Sequence, residues 1–422
     1  MESRDQLFNH LFRHESGRMV AVLTRIFGLH NLQMAEDVVQ EAFLQAIQLW
    51  KFDKLPENPQ GWLMQTARNK AIDILRRQEY ARKYLKETGG ELPDVEMSID
   101  RFFHEDEIAD SQLRMIFSCA HPLLKEEDRI ALTLKTVSGF GAQEIAKSLL
   151  TNESVIQKRL FRAKQFIREN NIQFNIPVGK NLEERLNTVH SILYLVFNEG
   201  YNSMKADEII RKDLCAEAMR LCRLLTEHKR CSQPATFALL SLMCFHAARF
   251  ESRLNENNDL VLLQEQDRSK WDKELIALGY AYLNKSATGD ELSVYHIESA
   301  IAAEHCMATS FQETNWERLL RLYDLLMEVK PSSIVRLSRA VVIAELGNIP
   351  DAIESILGIG KIHQLINDHY IYSAVLGDLY KRLSDSVKAK QYLEQAHELT
   401  NSSAEKKLIR DKIEQVLLNS RN

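Results

Sequence analysis

The segment from 153 to 169, ESVIQKRLFRAKQFIRE, carries five lysine and arginine residues beside an apolar stripe. A helix with one buried face is predicted by apolar residues three and four apart, which are Ile156, Leu160, Ala163 and Ile167. Cations on the opposite face suit phosphate oxygens, while hydroxyl and amide groups suit base edges. The candidates are Ser154, Gln157 and Lys158 for base edges and Arg159, Arg162 and Lys164 for phosphates or the groove wall. Charge alone would equally describe a solvated surface.

A shorter helix precedes this one. The stretch AQEIAKSLL, from 142 to 150, predicts a short helix with Ile145 and Leu149 facing inward and Ala146 where a second helix would cross. LTN then supplies a tight turn before the basic helix. This order predicts a helix-turn-helix, whose second helix enters the major groove of DNA.

A second basic helix is predicted over 61 to 78, GWLMQTARNKAIDILRRQ, with Leu63, Ala67, Ala71 and Ile74 facing inward. Its candidates for contact are Trp62, Arg68, Asn69, Arg76 and Arg77. Cations, an amide and an aromatic ring on one helix suit single-stranded DNA, where bases stack and the backbone needs neutralising. For Trp62, a core or capping role remains the alternative to stacking.

The composition predicts an all-α fold. Only 8 prolines and 15 glycines occur in 422 residues, which leaves little material for strands joined by tight turns. That length predicts two or three domains. The net charge of −5 excludes indiscriminate adhesion to nucleic acid, so any DNA contact must come from local basic faces.

The apolar stretches do not resemble membrane or export segments. No basic start precedes a long apolar run, and the longest apolar stretch, 235–248, is shorter than a membrane span and contains His246. We therefore expect a cytoplasmic protein without a membrane partner.

The sequence contains no motif typical of an enzyme, a metal site or a cofactor site. The six cysteines form no C-x-x-C pair, and Cys119 with His121 supplies only two possible ligands. No nucleophile with an adjacent base and no phosphate loop can be recognised. We predict no enzyme activity, no metal site and no cofactor.

Two junctions divide the chain into three blocks. ETGGELPDVEMSIDRFFHEDE interrupts the helical periodicity and accumulates acidic residues, which predicts a linker, and NNIQFNIPVGKN supplies a second junction. In the third block, a weak repeat over 334–400 aligns Ala340 with Gly377, Gly347 with Ser384 and Ala352 with Ala389. Small residues twelve apart suit antiparallel helix pairs and resemble tetratricopeptide (TPR) repeats, although the period is 37.

Three motifs in order, AEDVVQEAFLQAIQLW, NPQGWLMQTARNKAIDILRRQ and GAQEIAKSLLTNESVIQKRLFRAK, resemble a bacterial RNA polymerase sigma factor of the extracytoplasmic-function class. DSQLRMIFSCAHPLL, YLVFNEGYNS and DLVLLQEQDRSKWD resemble the subgroup with a long TPR-like helical extension. The resemblance implies region 2 at 1–80, an acidic linker at 81–107, a region 4 helix-turn-helix at 108–172 and a regulatory helical array at 180–422.

In such sigma factors the helix matching 35–50 docks on the clamp helices of the largest polymerase subunit. The implied contacts here are Glu36, Asp37, Gln40, Glu41 and Leu44, an acidic rim beside an exposed apolar side chain. An acidic rim would steer the helix toward basic partner residues, and the apolar side chain would supply burial. The polymerase flap is a further implied partner.

The resemblance also assigns promoter elements to the two basic helices. Helix 61–77 would capture and help open the minus-ten element, with Asn69, Asp73, Arg76 and Arg77 at matched positions, beside Trp62 and Arg68. Helix 153–169 would read the minus-thirty-five element as duplex DNA. The linker would thread into a polymerase channel, and a protein or peptide regulator could bind the C-terminal array.

The predicted function is therefore a sigma factor that recruits core polymerase to promoters and helps melt them, regulated in cis by its C-terminal domain. A TPR-type DNA-binding adaptor that does not recruit polymerase is the alternative. Under that alternative, the acidic face of helix 35–50 would have no partner.

Overall fold

The computed structural model describes residues 4–50, 55–86, 99–149, 151–201, 211–257, 259–289 and 291–419. Within these ranges the regular elements are helices, and an isolated bridge joins Leu254 and Leu260. The all-α prediction is confirmed. The chain forms two compact units, Met1–Val196 and Phe197–Asn422.

The helices of the first unit are α1 (Arg4–Phe27), α2 (Leu32–Leu49), α3 (Pro59–Lys86), α4 (Glu105–Cys119), α5 (Glu126–Thr136), α6 (Ala142–Ser148) and α7 (Glu153–Glu169). Helix α8 (Lys180–Tyr201) contains the boundary between the units. α1 packs against α2 and α3 and also against α4 and α5. It is therefore the helix that joins the two halves of this unit.

α1 approaches the end of α5 unusually closely. A Cβ atom built on Gly17 would lie 1.9 Å from the carbonyl oxygen of Val137, far inside van der Waals contact. Two ion pairs join α1 to the neighbouring helix α4, between Arg18 and Glu105 and between Arg25 and Asp110, at 2.5 and 2.9 Å. Only glycine at position 17 fits this approach.

The helix-turn-helix forms where the sequence predicted it. The backbone N–H of Gly141 donates to Glu144 Oε2 at 2.7 Å where α6 begins, and Asn152 Oδ1 accepts from the Val155 N–H at 3.0 Å where α7 begins. α7 buries the predicted apolar face, which is Ile156, Leu160, Ala163 and Ile167. Leu150 in the turn lies outside the described residues.

The ends of the predicted linker are helical. α3 continues to Lys86, the turn Arg101–Phe103 is a 3₁₀ helix, and α4 begins at Glu105. The part of the predicted linker from 87 to 98 lies outside the described residues.

The helices of the second unit begin with the last residues of α8. They continue with α9 (Lys212–Glu227), α10 (Pro234–Ala247), α11 (Lys273–Ser286), α12 (Val294–Met307), α13 (Trp316–Val329), α14 (Ser333–Glu345), α15 (Ile349–Leu357), α16 (Ile362–Asp368), α17 (Tyr370–Arg382), α18 (Ser386–Leu399) and α19 (Ser403–Asn419). Helices adjacent in sequence pack in pairs, as in a TPR-like array.

The weak internal repeat corresponds to two helix pairs, α14 with α15 and α17 with α18. The aligned turn residues Gly347 and Ser384 both have left-handed backbone conformations, with φ of 90° and 61°. The aligned small residues Ala340 and Ala352 are fully buried in the core of the array. The short helix α16 lies between the two pairs.

Within the described ranges, no helix is long and apolar enough to cross a membrane.

Candidate nucleic-acid interface

The N-terminal half of α7 presents a polar outer face. Ser154, Gln157 and Lys158 are exposed, as the sequence predicted for residues that reach base edges. Ser154 Oγ donates to Asn152 Oδ1 at 2.7 Å, and Gln157 Nε2 donates to Glu153 Oε1 at 3.1 Å. These local bonds hold both side chains at the end of the helix that would enter a groove.

Sequence reasoning missed Phe161 on the same face. Its side chain is 67% exposed, an unusual environment for so large a hydrophobic residue. The signal was present, because Phe161 lies four residues after Gln157 and off the apolar stripe. An exposed aromatic ring here suits apolar contact with a thymine methyl group.

Arg159 is half-buried, and Arg162 bonds within its own domain. Arg162 Nη2 lies 2.8 Å from Asp128 Oδ1, and the Asp128 side chain is only 6% exposed. More than half of the Arg162 side chain remains exposed, so it can still reach a phosphate. Arg162 therefore compensates a buried charge in addition to its predicted role.

Lys164, at the far end of α7, contacts α2 instead of solvent. Because α7 packs against the turn Leu29–Asn31 that precedes α2, Lys164 Nζ lies 2.5 Å from Glu36 Oε2 and 3.0 Å from Gln33 Oε1. The expectation that Glu36 lies on an exposed face is wrong in this structure, since Glu36 is only 6% exposed. We call the packing of α1 on α4 and α5, together with the Lys164–Glu36 ion pair, the closed arrangement.

The rest of the predicted docking face of α2 is exposed. Asp37, Gln40, Glu41 and Leu44 all face solvent, and Leu44 is 57% exposed. Lys70 Nζ of α3 donates to Glu41 Oε2 at 2.9 Å. An apolar side chain thus stands among carboxylates, as an interface helix requires.

Leu49, the last residue of α2, adds an exposed apolar side chain to this surface. It is 53% exposed because α2 ends there and the next residue, Trp50, turns inward and is 3% exposed. Leu44 and Leu49 are five residues apart and line the same shallow depression as Glu41. The apolar part of the face is therefore larger than predicted.

α3 presents its predicted polar residues on the outer face. Asn69, Asp73, Arg76 and Arg77 are exposed, and Leu63, Ala67 and Ala71 are fully buried. Asn69 Oδ1 accepts from Gln65 Nε2 at 3.0 Å. Arg76 and Arg77 thus make this exposed stretch of the helix cationic.

The two remaining α3 candidates make contacts within the protein. Arg68 Nε donates to Asp100 Oδ1 at 2.6 Å, so an acidic residue of the predicted linker covers a predicted DNA contact. Trp62 packs edge to face on Trp50, with ring centroids 5.2 Å apart, and Trp50 stacks on Phe8. This aromatic cluster favours a role for Trp62 in the protein core over a role in stacking on DNA bases.

The geometry of the described residues brings no metal or thiol chemistry together. No group of three His, Cys, Asp or Glu side chains converges within the part of the chain that the structure describes. Burial raises the pKa of the Cys119 thiol to about 12, and its Sγ lies 3.1 Å from Thr136 Oγ1. Cys119 is therefore an unreactive core residue.

A basic helix-turn-helix, a second basic helix and an acidic, leucine-tipped helix in one unit define a DNA-binding protein of the transcription-initiation class. Residues 11–80 match sigma-70 region 2, and 114–167 match sigma-70, region 4. Residues 185–287 match a family of unknown function, DUF6596. The chain belongs to the sigma-70 family and is a sigma factor of the extracytoplasmic-function type.

Two relatives are similar to this chain over different lengths. An uncharacterized protein of Rhizobium meliloti is 33% identical over 400 residues, which cover 93% of this chain and 91% of that protein. The ECF RNA polymerase sigma-E factor of Haemophilus influenzae is 29% identical over 178 residues, or 39% of this chain and 87% of that protein. The sigma domains imply core polymerase and promoter DNA as partners, and sigma factor families are non-enzymatic DNA-binding regulators.

Proposed function

We propose that three helices divide the work of initiation: α2 docks on core polymerase, α3 captures the minus-ten element and α7 reads the minus-thirty-five element. The C-terminal array regulates these steps in cis. The observation that carries the proposal is the exposed face of α2, where Leu44 is surrounded by Asp37, Gln40 and Glu41.

The α2 face has the properties of a docking surface. Carboxylates steer the approach of a basic partner, and a central apolar side chain gains free energy when water leaves it. Leu49 enlarges the area that a partner can bury. The clamp helices of the largest polymerase subunit are the proposed partner of α2, and the flap is the proposed partner of region 4.

Promoter recognition uses surfaces of opposite charge from the docking face. Arg76 and Arg77 on α3 suit the backbone of a strand whose bases leave the duplex, and capture of those bases shifts the equilibrium toward the open state without hydrolysis. Ser154, Gln157 and Lys158 on α7 suit base edges. These events occur on chromosomal DNA, so we place the protein in the cytoplasm.

Productive binding also requires the closed arrangement to open. Glu36 and Lys164 bind each other, so neither is available to polymerase or to DNA while the ion pair persists. Core polymerase or promoter DNA would offer replacement partners for both charges. Opening is then driven by the difference in affinity between the two arrangements.

The test is binding of the full-length protein to core polymerase, followed by transcription from a cognate promoter. The variant Asp37→Lys/Leu44→Asp should lose at least about tenfold in core affinity, because it removes both steering and burial. Glu57→Lys reverses an exposed charge in the same domain but off α2, and should bind core like the unaltered protein.

Binding to duplex promoter DNA is the control that helps to distinguish a sigma factor from a DNA-binding adaptor. The α2 variant should retain the DNA affinity of the unaltered protein, since α7 is untouched. If core binding is unchanged in this variant, the protein is a DNA-binding adaptor and the proposal for α2 fails.

A further inference from the structure

Three helices of the second unit, α14, α17 and α19, each turn one stripe of residues toward a cavity of about 610 Å³. This volume falls within the range typical of small-molecule sites. The residues of each stripe recur three and four apart, and they are Ser338, Val341, Val342 and Glu345 on α14, Ile371, Ala374, Val375 and Asp378 on α17, and Glu405, Leu408, Ile409 and Lys412 on α19. The centre of every stripe is apolar.

Contacts between the helices align the three stripes. Near the N-terminal ends of α17 and α19, the Tyr370 hydroxyl donates to Glu405 Oε1 at 2.5 Å. Toward the C-terminal ends, two ion pairs join neighbouring helices, Glu345–Arg382 at 2.7 Å and Asp378–Lys412 at 2.9 Å. The middle pairs of the stripes form what we call the apolar belt: Val341, Val342, Ala374, Val375, Leu408 and Ile409. Seven residues of helix rise about 10 Å, which sets the distance between the polar ends of a stripe.

α17 has apolar residues on two faces, and the protein packs only one of them fully. Tyr372 and Leu376 are buried in the core that α17 shares with α18. Ile371, Ala374 and Val375, which line the cavity, are half-buried. Apolar residues around a whole helix are typical of a helix that is covered on every side. The belt is therefore an apolar surface that the protein's own atoms leave partly uncovered.

Another part of the wall is the segment 260–263, four consecutive apolar residues that are all half-buried. Gln266 Nε2 donates to the Val261 carbonyl oxygen at 3.1 Å, and Asp259 lies 2.6 Å from Lys407 Nζ of α19. These contacts fix the segment on both sides. A ligand in the cavity would touch apolar side chains of the segment as well as the belt.

Aromatic rings complete the wall. Phe311 and Trp316 pack edge to face, with ring centroids 4.9 Å apart, and both line the cavity. Tyr323 lines it as well, and its hydroxyl is bonded to Ser338. Aromatic side chains offer large apolar contact areas and pair favourably with other rings. The wall therefore suits a ligand that carries a ring.

Each charged side chain that lines the cavity already has a partner within the protein. Besides the two ion pairs, Glu405 accepts from the hydroxyls of Tyr370 and Thr400, Arg249 Nε donates to Gln266 Oε1 at 3.1 Å, and Arg253 donates to the Tyr201 carbonyl oxygen. A charged ligand would lose its water and would have to displace one of these bonds. An uncharged ligand leaves all of them intact.

We propose that this cavity binds an uncharged, ring-bearing apolar molecule, which covers the apolar belt and contacts the segment 260–263. Burial of the half-exposed apolar side chains supplies the driving force. The bound molecule is the input that the regulatory domain senses. That regulatory role rests on the proposed function, whereas binding itself does not.

The binding test uses the full-length protein and three probes that share one bicyclic ring: naphthol, which is uncharged at neutral pH, naphthoate and naphthylmethylammonium. Calorimetry should give one saturable site for naphthol, with an affinity about tenfold higher than that of either ion, because each ion must be desolvated. Equal or tighter binding of either ion, or no saturable binding of naphthol, would overturn the proposal.

A matched pair of variants locates the site. Val341→Trp fills the cavity from α14 and should weaken naphthol at least about tenfold. Val387→Trp makes the same substitution on α18 at a side chain that is 80% exposed and does not line the cavity, so it should bind like the unaltered protein. Equal affinities of these two variants would show that naphthol binds elsewhere.

Thermal unfolding without ligand shows whether each variant folds. Ala374→Leu adds less volume to the same wall and replaces Val341→Trp if the larger side chain prevents folding. It should also weaken naphthol relative to the unaltered protein. Unchanged affinity in a folded Ala374→Leu variant would count against the cavity as the site.

Transcription separates this proposal from the function on which it rests. Saturating naphthol should change transcript yield with the unaltered protein and with Val387→Trp, and it should have no effect with Val341→Trp. If naphthol binds but the protein never engages core polymerase, the proposed function fails and the site remains. If transcription proceeds and bound naphthol does not alter it, the regulatory role of the site is wrong.

Discussion

The two basic helices, α3 and α7, carry similar side chains but use them differently. On α7, Arg162 and Lys164 each bind a carboxylate that is almost fully buried, Asp128 and Glu36. On α3, Arg76 and Arg77 are exposed, and Arg68 binds Asp100, which is half-exposed. Two cations of α7 therefore compensate buried carboxylates, whereas Arg77 of α3 lies in solvent, where the proposed function places it against DNA.

The contrast between α3 and α7 shows that cations on a helix face can have two different effects on stability. A cation beside a buried carboxylate compensates a charge that water cannot reach, so its removal costs stability. A cation in solvent contributes little to the fold, and its removal costs only what it binds. The following predictions test this contrast, starting with the largest expected effect.

Lys164→Ala should have the largest effect because it leaves Glu36 buried without its partner. We expect a loss of roughly 2 kcal/mol in the free energy of unfolding, between the values for exposed and fully buried ion pairs. A double-mutant cycle with Glu36→Ala, followed by urea unfolding, measures the coupling. Small-angle scattering should show an expanded first unit. Additive effects of the two substitutions would mean that the ion pair does not hold the closed arrangement.

Arg162→Ala and Arg159→Ala should differ in stability but agree in salt dependence. Each removes one proposed phosphate contact, so the slope of log affinity against log salt concentration should fall by about 0.9 in both. Only Arg162→Ala leaves a buried carboxylate, so only this variant should unfold at a lower temperature. Promoter binding at several salt concentrations and thermal unfolding check both statements. Equal melting temperatures would show that Asp128 does not need Arg162.

Arg77→Ala on α3 should weaken DNA binding without changing stability. For single-stranded minus-ten DNA we expect the salt slope to fall by about 0.7, the value for one phosphate contact on a single strand. Titration of labelled oligonucleotides and thermal unfolding are the measurements. A lower melting temperature in this variant would remove the contrast between α3 and α7.

Asp100→Ala should have the smallest effect and the opposite sign. It frees Arg68 from its carboxylate partner, so affinity for minus-ten DNA should rise by about threefold, as expected for a pair that is partly exposed. Glu57→Ala removes an exposed carboxylate of the same domain without touching this pair and serves as the control. Unchanged affinity after Asp100→Ala would mean that Arg68 does not reach DNA.

Local patterns predicted much of this molecule. Apolar spacing located α3 and α7 and most of their buried faces, and the turn before α7 followed from LTN. The repeat in the second unit followed from four small residues. Three of them are buried in its core, and a Cβ built on the fourth, Gly377, would lie 2.7 Å from the Leu393 side chain. These features depend on neighbours a few residues away, which a sequence displays directly.

Other features required distant partners. The polar face of α2 gave no sign that Lys164, 128 residues away, would cover Glu36. Leu49 lies three residues after the buried Ala46, a spacing typical of one helical face, but α2 ends at Leu49 and its side chain is exposed. A cavity in the second unit, lined by residues from Tyr201 to Lys412, had no linear signal because residues far apart in the sequence form its walls.

The packing of α1 against the end of α5 requires that residue 17 has no Cβ atom. Because the Val137 carbonyl oxygen occupies the space of a Cβ at that position, even a methyl group would force region 2 and region 4 apart. Among related chains, the presence or absence of a side chain there should therefore separate those that can store their DNA-reading modules folded together from those that must keep them apart by other means.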